Sequence, residues 1–380
     1  MTGPDVSTDM ETHTLTTDEV DLVYDVHGPL PPAGGRPPLL AIGQPMDASG
    51  FVALASQFPD RTVVAYDPRG LGRSVRRDGR VDNVPEVQAA DVHALITELD
   101  AGPVELFASS GGAVTALALV AAHPDDVTTL VAHEPPLLFV LPDAHAAERA
   151  WAGVRDAYDS RGSNAGMAAF MAMTSWQGEF TDEYFAQPTP DPTAFGMPAE
   201  DDGARDDPLL SDRSTAIIVY RPDVAALRAA TTRIVIAVGE ESLGTFTGRS
   251  AVATAELLGQ EATVFPSHHG GFLGGESATP ASRKPSRAHS AWSSRAPDHN
   301  TEVLARLPGR TIVCHPTPCS RPTYANRRAI PTNAAAKPLA ARGRSAPPAP
   351  RSRDTAPAPP QSHRPVERRY VPHERVATAL

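Results

Sequence analysis

The sequence predicts an α/β fold, a mainly parallel sheet doubly covered by helices, with a helical lid and a disordered C-terminal tail. Three observations predict it. Short runs apolar on both faces recur at 39–42, 62–66, 104–107, 129–132 and 233–238. Segments of helical period, at 85–99 and 112–122, alternate with them, which is how strands of a parallel sheet come to be buried on both sides. Beyond Glu276 the alternation stops and the composition changes.

Taking the elements in order, a polar start leads into a strand at 19–26 that ends at His27-Gly28, and 29–38 is a loop dense in Pro and Gly. The run 39–42 is bounded by Pro38 and Gly43. These elements make residues 1–134 the first part of the core. Between Pro135 and Thr232 the alternation gives way to helical segments at 144–158 and 165–173. A structureless loop of that length is improbable in a compact domain, so 135–232 is expected to form a helical lid. Its large apolar residues, Trp151, Tyr158, Phe170, Met173 and Trp176, suit an apolar acyl group. Residues 233–276 return to the core pattern.

The chain up to Glu276 carries 16 Lys+Arg against 40 Asp+Glu, a charge of −24, whereas 277–380 carries 18 against 5, a charge of +13. The acidic part is a poor partner for nucleic acid or an anionic membrane and suits a small-molecule substrate. Both cysteines, Cys314 and Cys319, lie in the basic part, so the core uses no disulfide, as suits the cytoplasm. No stretch has the roughly 18 apolar residues needed to span a bilayer, and the N-terminus has no signal-peptide pattern. Residues 277–380, rich in Arg, Pro, Ala and Ser, cannot bury enough apolar surface to offset ordering entropy and are expected to be disordered. So abrupt a change is also what an out-of-frame stretch of a GC-rich gene yields; a genuine basic tail for nucleic acid or an acidic partner is the alternative. Cys314, His315 and Cys319 make too small a set for a metal, and no metal or cofactor is expected.

The chemistry concentrates at Ala108-Ser109-Ser110-Gly111-Gly112, which follows the strand at 104–107 and opens the next helix. This is the strand-turn-helix setting of a nucleophile elbow, which needs small neighbours and here has Ala108 and Gly112. The turn lifts the Ser110 hydroxyl to the sheet edge, while the N–H of Gly111 and the positive helix end stabilise developing negative charge. Ser109 is a small neighbour by spacing. A phosphate loop would need a lysine in the turn, and none follows.

Over roughly 14–275 the chain resembles the α/β-hydrolase superfamily. The resemblance rests on 39–44, on Tyr66-Asp67-Pro68-Arg69-Gly70-Leu71-Gly72-Arg73-Ser74, on the elbow, and on 264–272. It implies a serine nucleophile, an acid and a histidine in that chain order, without a cofactor. The Asp67 to Ser74 turn takes a structural role, although Arg69 is within reach of a site. The second oxyanion donor should follow the glycine after the 39–42 strand. That residue is Gln44, since Pro45 has no N–H, and its amide can also face substrate. The family's proline three residues before the histidine selects His269 over His268, while His27, His93, His123 and His133 have structural settings.

The usual acid position, three residues past Gly239, holds Ser242. Either Glu240 or Glu241 has moved in, or the acid follows the family's sixth strand, where His133-Glu134-Pro135-Pro136 stands. Glu134 is favoured, then Glu241, then Glu240. The resemblance thus implies a serine hydrolase acting on a small ester, lactone or amide. A cofactor-free perhydrolase or carbon–carbon hydrolase would use the same triad, and a non-catalytic or misfolded member of the fold is the contrasting class. Family members normally continue past the histidine with an amphipathic helix, which 274–276 and the basic tail do not supply.

Overall fold

A computed structural model describes residues 10–32, 35–201 and 203–273, together with a two-residue ladder between Arg306–Leu307 and Arg310–Thr311. All lie in the first of the chain's two units, Met1–His315. The expected disorder of 277–380 and the missing final helix fall, that ladder apart, outside the described residues.

The strands are β1 (Met10–Thr16), β2 (Val20–His27), β3 (Leu39–Gln44), β4 (Val63–Tyr66), β5 (Val75–Arg76), β6 (Val104–Ser110), β7 (Val127–His133), β8 (Arg233–Gly239) and β9 (Thr263–Phe265). The helices are α1 (Val52–Ala55), α2 (Pro85–Leu99), α3 (Gly111–Ala122), α4 (Ala144–Arg161), α5 (Ser163–Ser175), α6 (Asp182–Phe185), α7 (Thr215–Ile218), α8 (Val224–Ala229) and α9 (Phe246–Leu258). The sheet runs β1-β2-β4-β3-β6-β7-β8-β9, with β5 also pairing β2. Pairs from β4 to β9 are parallel; β1, β2 and β5 are antiparallel additions. β1 escapes the sequence reading because it is an edge strand whose side chains are exposed or half-exposed, so burial imposes no apolar alternation on it.

The chain leaves β3 toward β4 on one side and returns to β6 on the other. The strand order reverses there, leaving at the carboxyl ends of β3 and β6 the crevice in which such sheets bind ligands. Gln44 and Ser110 end those two strands as register partners.

Each face of the sheet is covered. On one, Leu106, Ala108, Leu130 and Ile236 pack against α2, α3 and α9 through Val92, Leu95, Leu117 and Ala251. α3 is buried at every position from Gly111 to Val120, so its sequence is apolar all round rather than striped. Gly112 lets it approach β3, for a Cβ there would lie 2.7 Å from Gly43 Cα and 2.8 Å from Ile42 O. The other face carries Phe51, Leu54, Phe107 and Phe272.

Between β7 and β8 the chain is mostly helical. α4 buries Ala147, Ala150, Trp151, Val154, Ala157 and Tyr158, one stripe at helical spacing. With Met173, Leu210, Ile218 and Phe246 these form a third apolar cluster. Phe170 and Trp176 pack at its margin. α8 differs from α4 and α5, because its Leu227 joins the sheet core. Among the described residues no helix is long and apolar enough to cross a membrane.

Candidate active site

Ser110 ends β6 and caps α3 with φ 56° and ψ −128°, a region that non-glycine residues rarely occupy. Holding it costs on the order of 1–3 kcal/mol, which the flanking buried strand and helix supply. Gly111 follows at the first turn of α3. A Cβ there would come within 2.9 Å of both Gln44 Cβ and Gln44 O, so the two residues selected as oxyanion donors lie against each other. Gln44 is 4% exposed, and both atoms of its side-chain amide are buried without a hydrogen-bond partner among the described residues.

Glu134 follows β7 directly and is fully buried, in the left-handed region at φ 49°. Its backbone N–H donates to Ala237 O at 3.0 Å, turning the side chain toward the end of β8. There Oε1 accepts from the Gly239 N–H at 2.9 Å and Oε2 from Thr247 Oγ1 at 2.7 Å. His269 Nδ1 lies 2.6 Å from Oε2. Burial alone would raise this carboxyl. The hydrogen bond and charge of His269, the nearby His133 and the Gly239 N–H outweigh burial and hold it down at about 2. An ionised carboxylate only accepts, so Nδ1 of His269 donates to it and Nε2 is the ring nitrogen left to face other partners.

The other acids lie elsewhere. Glu240 and Glu241 are exposed on the 3₁₀ turn Glu240–Ser242, where the Glu241 N–H bonds Ser267 O at 3.1 Å. Glu134 instead reaches the end of β8 from the neighbouring strand. His268 turns inward on its own loop, its Nδ1 accepting from the Gly270 N–H at 3.1 Å.

Behind these groups lies a buried pair that spacing does not reveal. Ser109 Oγ is 3.1 Å from His133 Nδ1, and His133 Nε2 is 3.5 Å from Glu134 Oε1. Burial pushes His133 down to about 4, leaving it neutral near pH 7. Its ring stands 5.8 Å from that of His269, which links the histidine loop to the residue preceding Ser110. Thr247 was also missed, since a threonine in the first turn of a helix carries no signal of a carboxylate partner 113 residues away.

Arg69 is 3% exposed and fully engaged: its guanidinium grips Asp91 of α2 at 2.6 and 2.5 Å and Asp78 at 2.7 Å. Asp67 accepts from the N–H groups of Ala48 and Arg73 at 3.0 and 2.7 Å, tying the turn to the loop after β3. Of the large apolar residues between β7 and β8, Trp151, Tyr158 and Met173 are buried in their own cluster.

A strained serine between a parallel strand and a buried helix, at the sheet's switch point, with a buried acid bonded to a partly exposed histidine after later strands, matches the arrangement that the sequence resemblance implies. The family model for serine aminopeptidase, S33, matches residues 50–179, which include Ser110 and Glu134. The chain has the α/β-hydrolase fold. The chain is 34% identical over 129 residues to the uncharacterized hydrolase YraK of Bacillus subtilis (strain 168), covering 34% of this chain and 46% of that protein. The match thus spans less than half of the relative's length. Solved structures resembling it include a thermophilic esterase from Thermogutta terrifontis, with 21% identity, 69% of this chain and 93% of that chain covered, and a TM-score of 0.45. Naproxen esterase from Bacillus subtilis is 16% identical, with coverages of 70% and 88% and a TM-score of 0.46.

Proposed function

We propose that the protein is a serine hydrolase that cleaves a small ester, lactone or amide through an acyl-enzyme on Ser110. The observation that carries this reading is the 2.6 Å contact between His269 Nδ1 and the buried Glu134 carboxylate, which leaves Nε2 as a base. Ser110 attacks the carbonyl carbon as His269 takes its proton, and Glu134 stabilises the imidazolium that forms. The backbone N–H groups of Gln44 and Gly111 receive the oxyanion, each worth about 3 kcal/mol of barrier. His269 then protonates the leaving group, and water, deprotonated by the same histidine, releases the acid. The unpartnered amide of Gln44 is the polar group we assign to substrate contact, since a buried amide without a partner costs about 1–3 kcal/mol unless a ligand meets it.

We read 135–232 as the lid over this site and the cytoplasm as its compartment, since residues 1–276 contain no cysteine. The substrate is a small molecule, and no cofactor takes part in the scheme. The test is labelling of the full chain with a serine-directed fluorophosphonate. The wild type should react and Ser110→Ala should not; folded wild-type protein that fails to label rejects the reading.

A further inference from the structure

Away from Ser110, three metal-ligating side chains converge. His93 stands on α2, His123 caps the C-terminus of α3, and Asp126 follows in the turn that leads into β7. His93 Nδ1 is 2.6 Å from Asp126 Oδ2. The two imidazole rings stack with centroids 3.8 Å apart and planes 10° from parallel. One ligand atom from each residue lies within 4.8 Å of the other two, and all three side chains are half-buried.

We propose that His93, His123 and Asp126 form a binding site for a divalent transition metal of the zinc type. Two imidazole nitrogens and one carboxylate oxygen are the donors such ions prefer, whereas calcium and magnesium take oxygen alone. Three protein ligands leave a fourth position for water. The scaffold is firm on two sides. The His123 N–H bonds Leu119 O at 2.7 Å, and the carbonyl of Asp126 accepts from the Val104 N–H at 2.9 Å. His123 also ends α3, where the negative end of the helix dipole favours a cation. Closing on an ion turns each ring about its last torsion, which is a soft one.

Asp126 borders the start of β6, and Ser110 ends that strand about 20 Å away at roughly 3.3 Å per residue. The site is therefore independent of the acyl-transfer reading, and each stands or fails alone. Sequence spacing does not reveal it, because His93 and His123 lie on separate helices that only packing brings together.

The test is equilibrium dialysis of the full chain against micromolar zinc, with bound metal counted by atomic emission. All proteins carry Cys314→Ser and Cys319→Ser, so that the tail thiols add no zinc of their own. The parent should bind one zinc that His93→Gln and His123→Gln lose or bind at least about tenfold more weakly, with Asp126→Asn weakened as well. His145→Gln, altering an exposed histidine of α4, should bind like the parent. Circular dichroism spectra that match the parent show that the variants fold, and ring NMR signals of His93 and His123 should shift on zinc addition. Absence of bound zinc in the parent, or equal binding by the parent and both glutamine variants, overturns the proposal and leaves a stacked histidine pair held by Asp126.

Discussion

Replacing Glu134 by glutamine tests how the acid works. The change keeps the shape of the side chain and removes its charge. The drop of the carboxyl from 4.5 to about 2 amounts to about 3 kcal/mol in favour of the charged form, at 1.36 kcal/mol for each tenfold change. His269 provides the largest favourable part, so most of that preference reappears as stabilisation of the imidazolium in the transition state. Glu134→Gln should thus lower kcat by on the order of 10²–10³, with KM changed little, because the interaction grows only as His269 gains its proton. The amide would also set an N–H₂ against either Thr247 or Gly239, which donate to the two oxygens now. Hydrolysis of p-nitrophenyl esters measures both constants. A Glu134→Gln enzyme within threefold of wild type, beside a Glu241→Gln enzyme that collapses, would refute the assignment.

The same buried carboxylate makes stability depend on pH. Its pKa is lowered on folding, so its contribution is complete above about pH 4.5 and is lost as pH falls toward about 2. The gap in urea midpoint between wild type and Glu134→Gln should therefore close across that window; a gap that stays constant contradicts it. Arg69→Met leaves Asp91 buried without its cation, while Asp78 keeps Arg76, and should cost about 3–5 kcal/mol in urea unfolding, whereas a loss below 1 kcal/mol would mean that the guanidinium is dispensable. Gly112→Ala drives a Cβ into the backbone of Ile42 and Gly43 and should destabilise by about 1–3 kcal/mol or more, with an unchanged midpoint as the contrary result. Gln44→Met removes an unpartnered buried amide. It should raise stability by about 1 kcal/mol while lowering kcat/KM; a variant as active as wild type would remove the side chain from the site.

The fold was legible where burial leaves a pattern. α2 runs over Pro85–Leu99 as the periodicity places it, with Pro85 suited to a first helical turn and Asp100 closing the helix in the left-handed region. The parallel strands were legible because they are buried on both faces. β1 was not, since its side chains reach solvent and nothing forces alternation. The elbow was legible because a strained turn tolerates only small neighbours. Glu134 was harder to place, because its carboxylate lies at the end of β8 while its backbone leaves β7. The two polar groups beside it, Thr247 and the Ser109–His133 pair, left no trace in spacing. Their partners are set by strand and helix packing, and a buried serine or histidine reads in sequence like any other.

The central claim is that Ser110 becomes acylated while His269, held by Glu134, takes its proton. Rapid quenching of the full chain with p-nitrophenyl acetate, followed by peptide mass mapping, tests it most directly. The account predicts one acetyl group on the peptide containing Ser110, accumulating in the wild type and absent from Ser110→Ala and His269→Ala. Turnover without any acylated Ser110, or acetyl on Ser109 instead, would contradict it.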